Sequence, residues 1–259
     1  MRSTLLLILC LGFAMSSPAQ TRQLTGPQYI AGAKAARPKS GVYIRARLVQ
    51  GKEVMQIQIK RRSLPNGTSD QLLQVIYPKE RKGESLLLHV SGGGFTGGFL
   101  KPGGSMRKLT SADRGLGVFG TDLTIEDVVA NFLDWKHQDI IGHENVGSVP
   151  CAVIESKPDR TGSAKGPSKA LSWIDERRYV PMRVQVFDGG DKPARVVDTE
   201  KVMQTSNGFY LPISLVVTTS ASGSQTKVDG SSSKADIPYV DADFTEQAMQ
   251  QVTPPPSAP

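Results

Sequence analysis

The sequence is poor in the residues that usually carry chemistry. It has two cysteines and three histidines in 259 residues, and aromatics make up 6%. Cys10 lies in an amino-terminal apolar stretch expected to be removed. That leaves Cys151 alone and excludes an intramolecular disulfide. Cys151 alternates with Val153 and reads as a buried structural thiol, with no activating base beside it. His89, His137 and His143 lack metal-site spacing, and no serine sits in a nucleophile elbow. Serines and aspartates abound, and nothing in the pattern selects a triad from them. The glycine-rich run 91–98 lacks a Gly-Lys-Ser/Thr ending and no helix follows it, so it reads as strand curvature rather than a phosphate cradle. The few aromatics do not interleave with basic clusters, which argues against nucleic-acid binding. Beyond the amino terminus no apolar run is long enough to span a bilayer. The expectation is a non-enzymatic protein with no catalytic residues, no metal and no cofactor.

What is present begins with a secretory leader over residues 1–19. Arg2 supplies its charged start, residues 5–15 its apolar core and Ser17-Pro18-Ala19 its small-x-small cleavage site. Cys10 sits too far inside the apolar core to serve as a lipid attachment point. Loss of Arg2 takes the net charge from +7 to +6, with 30 basic residues against 24 acidic. This balance suits a protein that meets anionic surfaces, and equally one charged for solubility. The local clusters, residues 60–62 and 79–82, fall at strand ends or turns and read as solvated loops. Asn66-Gly67-Thr68 is a sequon that also reads as a turn. The tail 253–259, with three consecutive prolines, reads as disordered.

The remainder is dominated by period-two alternation. Val42, Ile44, Ala46 and Leu48 alternate with Tyr43, Arg45 and Arg47, and similar runs follow at 55–59, 73–77 and 86–90. Further strands are expected at 151–156, 171–175, 182–187, 195–203, 211–217 and 225–228. The Ser/Gly-rich stretch 230–233 is read as low complexity between elements. Short turns between neighbours imply an antiparallel meander. Helical signals are few. Thr25 and Gln28 form a capping pair at the start of 24–36, and a short terminal helix is expected at 244–249. The feature that interrupts the meander is 101–128. It reads as a turn, a short basic strand, a glycine-rich bend and a helix from Ile125 to about Trp135. Thr124 and Asp127 are placed as its capping box. Asp122, Glu126 and Asp127 complement the helix dipole better than they form a metal site. The apolar face Val128, Val129, Phe132 and Leu133 either packs on the sheet or lids a cavity; both readings stay open.

The basic strand, Ser111, Arg114-Gly115, the turn Phe119-Gly120-Thr121-Asp122-Leu123 and the pair Glu126-Asp127 resemble the outer-membrane lipoprotein-sorting protein family, which is LolA-like. A second match runs through Pro150-Cys151-Ala152-Val153-Ile154-Glu155, Trp173-Ile174-Asp175 and Tyr179-Val180-Pro181-Met182-Arg183-Val184. The turn departs mildly from the family's Met-Gly-Ser-Asp-Phe pattern. The resemblance implies a mainly β fold with a few helices: a single antiparallel sheet curved into an incomplete, open β-barrel with a helical lid. It would span 20–252 as one domain. It also implies a periplasmic carrier that holds acyl chains of lipoproteins or other lipids, without nucleic acid and as a monomer. An inner-membrane transporter and an outer-membrane acceptor would be its partners. The alternative is a non-carrier accessory subunit of an RND/MMPL-type exporter. For the cavity or lid the expected residues are Leu86, Leu88, Phe95, Phe99, Phe119, Phe132 and Trp135. Arg114, Gly115, Gly120, Asp122 and Asp127 fall on the family's bend-and-lid motif. Arg114 is expected to tie the lid to the sheet, with the glycines permitting the turn.

Overall fold

The computed structural model describes residues 24–65, 67–91, 94–129, 131–159 and 166–256. The leader, Cys10, Asn66 of the sequon and the tail end 257–259 lie outside them. Helix α1 (Gly26–Ala35) is followed by strands β1 (Gly41–Gln50), β2 (Glu53–Ser63), β3 (Ser69–Tyr77), β4 (Ser85–Ser91), β5 (Gly94–Leu100) and β6 (Arg107–Lys108). Helix α2 (Ile125–Val129) precedes β7 (His137–Val146), β8 (Val149–Lys157), β9 (Lys169–Asp175), β10 (Pro181–Phe187), β11 (Arg195–Gln204), β12 (Tyr210–Thr219), β13 (Gln225–Ile237) and α3 (Glu246–Met249).

All thirteen strands form one antiparallel sheet in the order β6-β5-β4-β3-β2-β1-β13-β12-β11-β10-β9-β8-β7. Two meanders run outward from a central seam, where the first strand pairs with the last. The sheet does not close, and its edges are β6 and β7. This is the open, LolA-like barrel that the resemblance implies. β6 and β7 are consecutive in sequence. The segment 109–136 therefore has to travel from one edge to the other, and it does so across the concave face.

The alternation explains which side chains meet that face. Ala46 and Leu48 of β1, Met55 and Ile57 of β2, Leu73 and Val75 of β3, and Leu86 and Leu88 of β4 form one core cluster with Val118, Phe119, Leu123, Ile125 and Val129 of the crossing segment. Their β1 neighbours Tyr43 and Arg45 point the other way. On the other half of the sheet, Ile154, Ala170, Ile174, Val184 and Val186 pack with Tyr29, Ile30 and Ala33 of α1 and with Phe132 and Leu133. The convex side is covered too. Tyr43, Leu72 and Leu87 are buried with Tyr239, Phe244 and Met249 of the carboxy-terminal segment.

Four readings change. The helix from Ile125 ends at Val129, and a 3-10 turn takes over at Asn131–Asp134. β13 continues through 230–233 to Ile237, because β1 pairs along that stretch, whereas the pairing with β12 ends at Asp229. The cluster 60–62 is no solvated loop. Lys60 is fully buried on the convex side and donates to Thr253 Oγ1 at 2.8 Å, Arg61 faces the concavity, and Arg62 pairs with Asp70 and Asp241. The segment 79–82 is a turn, with a 3-10 helix at Lys79–Arg81. Thr253, placed in the tail by sequence, is held on the sheet; its carbonyl also accepts from Gln58 Nε2 at 3.0 Å.

Candidate functional site

The crossing segment is built by local capping and then fastened at several points. The Thr124 N–H donates to Asp127 Oδ2 at 2.8 Å, and the Asp127 N–H donates back to Thr124 Oγ1 at 3.3 Å, the reciprocal geometry of a capping box. Before it, the chain doubles back over Val118–Gly120. Phe119 sits at φ 54 with its ring buried and 6.1 Å from that of Phe99. A bulky residue in the left-handed region is strained, so surrounding packing has to hold it there. Gly120 follows at φ 77, where only glycine is comfortable. Gly115 has no such requirement: a Cβ there would meet open space. The tight position is Gly117, where a Cβ would lie 2.2 Å from the Thr121 carbonyl oxygen.

Phe119, Asp122, Asp127 and Val128 of this segment are tied to the sheet and its turns. Arg81 Nη2 donates to the Phe119 carbonyl at 2.9 Å. The Asp122 carboxylate accepts from Ser224 at 2.7 Å and from Thr219 at 3.2 Å in the β12–β13 hairpin. Asp127 pairs with Arg195 of β11 at 3.0 Å. Gln71 Nε2 of β3 donates to the Val128 carbonyl at 3.4 Å. Arg114 pairs with Glu126, at 2.7 Å, within the crossing segment, and stacks over the Phe95 ring of β5 at 5.3 Å. Asp122 and Asp127 add hydrogen bonds and an ion pair to the sheet.

Between the crossing segment, α1 and the middle of the sheet lies a cavity of about 260 Å³. Its walls are mostly aliphatic, with Val42 and Ile44 of β1, Ile59 of β2, Val184 and Val186 of β10 and Val197 of β11 among them. Of the seven residues expected to line a cavity, Phe132 does. Leu86, Leu88, Phe95 and Phe99 pack under the crossing segment against its own Phe119, filling the other half of the concavity, and Trp135 packs against the α1 cluster. Side chains fill one half of the concavity, and the open space lies in the other. Alternation separates the two faces of each strand and does not say which is concave, nor where the crossing segment descends.

The polar groups of the cavity wall are few: Arg37, Arg61, Gln71, Asp127, Thr199 and the tyrosines Tyr179 and Tyr210. Sequence reasoning missed the two arginines. The signal available was Arg61 standing two residues after Ile59 on the inward-facing series of β2.

Other candidates for chemistry are structurally engaged. Cys151 is buried and its Sγ lies 3.4 Å from the Val149 carbonyl; burial pushes the thiol up to about 11. His89 Nδ1 contacts Asp70 at 2.6 Å and His143 Nδ1 contacts Glu176 at 2.7 Å. Among the described residues no cluster of three His, Cys, Asp or Glu could hold a metal, and no helix is long and apolar enough to cross a membrane.

A family model described as "-like: Uncharacterized protein" matches residues 67–251. No curated protein matches the sequence. In three dimensions the chain is similar to a putative outer membrane lipoprotein-sorting protein domain from Vibrio parahaemolyticus, with a TM-score of 0.80 at 15% identity, covering 87% of this chain and 98% of that one. It is also similar to a DUF1329 family protein from Desulfovibrio piger, with a TM-score of 0.78 at 18% identity over 87% and 98% of the two chains. A LolA superfamily protein from Nitrosomonas europaea gives 0.62 at 17% identity over 87% and 100%. At these identities the likeness is one of fold.

Proposed function

This chain belongs to the family described as "-like: Uncharacterized protein", and from that membership and its LolA-like fold we propose that it is a periplasmic, non-enzymatic carrier of acylated cargo. One observation carries this reading: an apolar cavity of about 260 Å³ remains on the concave face although the crossing segment and α1 fill the rest. Apolar walls suit an acyl chain, and burial gains about 0.8 kcal/mol per methylene. A ten-carbon stretch therefore gains about 8 kcal/mol gross, enough to offset a sizeable ordering cost. The cavity is slightly below the ~300 Å³ at which small-molecule pockets usually begin. It suits a single chain as it stands. Larger cargo, such as a multiply acylated lipoprotein, requires the crossing segment to lift. The fold's likeness to lipoprotein-sorting proteins supports transfer towards the outer membrane, with an inner-membrane donor and an outer-membrane acceptor.

Native mass spectrometry of the purified mature protein, followed by lipid extraction, tests the reading. Bound lipid or acylated peptide is the expected result. A protein that emerges empty and also fails to take up a fluorescent fatty acid sinks the carrier function. The accessory subunit of a membrane exporter would then be the better account, since half of the concavity is already filled by the protein's own side chains.

A further inference from the structure

The two arginines of the cavity wall are out of place in an apolar container. Arg61 is on β2 opposite Val42 of β1, and Arg37 immediately follows the α1 C-cap, Ala36. Both side chains are half-buried and both line the cavity. Among the described residues neither makes a side-chain hydrogen bond or ion pair, yet their nitrogens are not sealed off by protein. The nearby carboxylates are already engaged: Asp127 pairs with Arg195 at 3.0 Å and Asp134 with Lys34 at 2.6 Å. A cation near a helix C-terminus is often there for the dipole. In α1 that place is filled by the exposed Lys34, and Arg37 turns to the cavity instead. Burial, then the charge of Arg37, pushes the Arg61 guanidinium down to about 10, and burial likewise lowers Arg37. Two like charges desolvated among aliphatic walls are costly unless an anion joins them. Guanidinium groups suit carboxylate and phosphate oxygens because their fixed N–H forks match them.

We propose that Arg37 and Arg61 form an anion seat in the cavity wall, and that the cargo is an amphiphile whose carboxylate or phosphate head is held by both guanidinium groups while its acyl chain lies along the apolar walls. This rests on the carrier reading and narrows it, since a neutral acyl group would leave both charges unanswered.

The test uses the full mature protein and matched probes: a fluorescent long-chain fatty acid against its methyl ester, and lysophosphatidic acid against monoacylglycerol. Each anionic probe is expected to bind at least about tenfold more tightly than its neutral partner, as charge-assisted hydrogen bonds imply. The double variant Arg37→Met/Arg61→Met is expected to erase that preference and still bind the neutral probes. Its melting temperature is expected not to fall, because it removes two half-buried like charges that have no partner among the described residues. The double lysine variant is expected to keep a reduced preference. Equal binding of charged and neutral probes, unchanged in the methionine variant, overturns the seat while leaving the carrier reading intact. Binding of inorganic phosphate as tight as that of lysophosphatidic acid overturns the amphiphile and points to a free-anion site. If wild type binds no probe at all, the carrier reading fails and the seat fails with it.

Discussion

The Asp127 carboxylate, on the segment that spans the two edges of the sheet, lies 3.0 Å from the Arg195 guanidinium at the start of β11. Both side chains are largely buried, at 5% and 16% exposure. Asp127 also closes the capping box with Thr124. One side chain thus shapes α2 and fastens it over the cavity that it lines.

Arg195→Met tests that fastening. Breaking a buried pair from one side costs about 3–5 kcal/mol because the remaining charge is stranded. The loss is expected to fall on the crossing segment. Hydrogen exchange at 116–129 should accelerate well before the sheet loosens, and uptake of a fluorescent fatty acid should become faster. A lower melting temperature with unchanged exchange at 116–129 would show that the pair stabilises the sheet and does not hold a lid.

Filling the cavity should block it without unfolding the protein. Val197 is half-buried, lies on β11 and faces the open space. Val197→Phe is predicted to weaken acyl-probe binding by about tenfold or more, at an overpacking cost no larger than about 1–3 kcal/mol. Leu88→Ala is the contrast. Leu88 belongs to the filled half, so its loss should cost about 2–5 kcal/mol by denaturant melt and leave affinity unchanged. Equal effects of the two variants on binding would contradict this division of the concavity.

Asp175 gives a pH prediction. Burial opposes its charge, but the N–H groups of Arg177 and Arg178 at 2.8 and 3.0 Å and the Arg178 guanidinium outweigh it, so its carboxyl is held below the ordinary 3.8. A depressed folded-state value contributes stability that is complete above 3.8 and is lost as the pH falls through the folded value. Asp175→Ala is expected to cost about 1–3 kcal/mol at neutral pH, since two amides lose their acceptor. The gap between wild type and variant should shrink below pH 3.8. A gap that stays constant into acid would mean the carboxylate charge contributes nothing.

Cys151 should be inert while the protein is folded. With its thiol pushed up to about 11, the thiolate fraction at pH 8 is lower by roughly two orders of magnitude than for an ordinary thiol near 8.5. Labelling by a thiol reagent should therefore follow global unfolding and accelerate only in denaturant. Rapid labelling in buffer would show local opening of β8.

The parts of this fold that depend on near neighbours were legible in the residue pattern. Alternation in β1 to β4 grouped the residues that share a face, because successive side chains on a strand must face opposite ways, and left open which face is concave. Thr25 with Gln28 and Thr124 with Asp127 marked helix starts, because a cap is a contact three residues long. The left-handed Gly120 was legible in the turn motif, whereas the need for glycine at 117 was not, because it depends on how closely Thr121 folds back. Contacts between elements distant in the chain set the rest. Residues 230–233 carry no apolar pattern, and they are strand because β1 pairs along them. Lys60, Arg61 and Arg62 look alike in sequence and have three different fates: under the carboxy-terminal segment, in the cavity wall, and in ion pairs with Asp70 and Asp241. The cavity itself lies where the crossing segment and α1 stop short of filling the sheet. That boundary depends on the shapes of elements far apart in the chain, which alternation along any single strand does not encode.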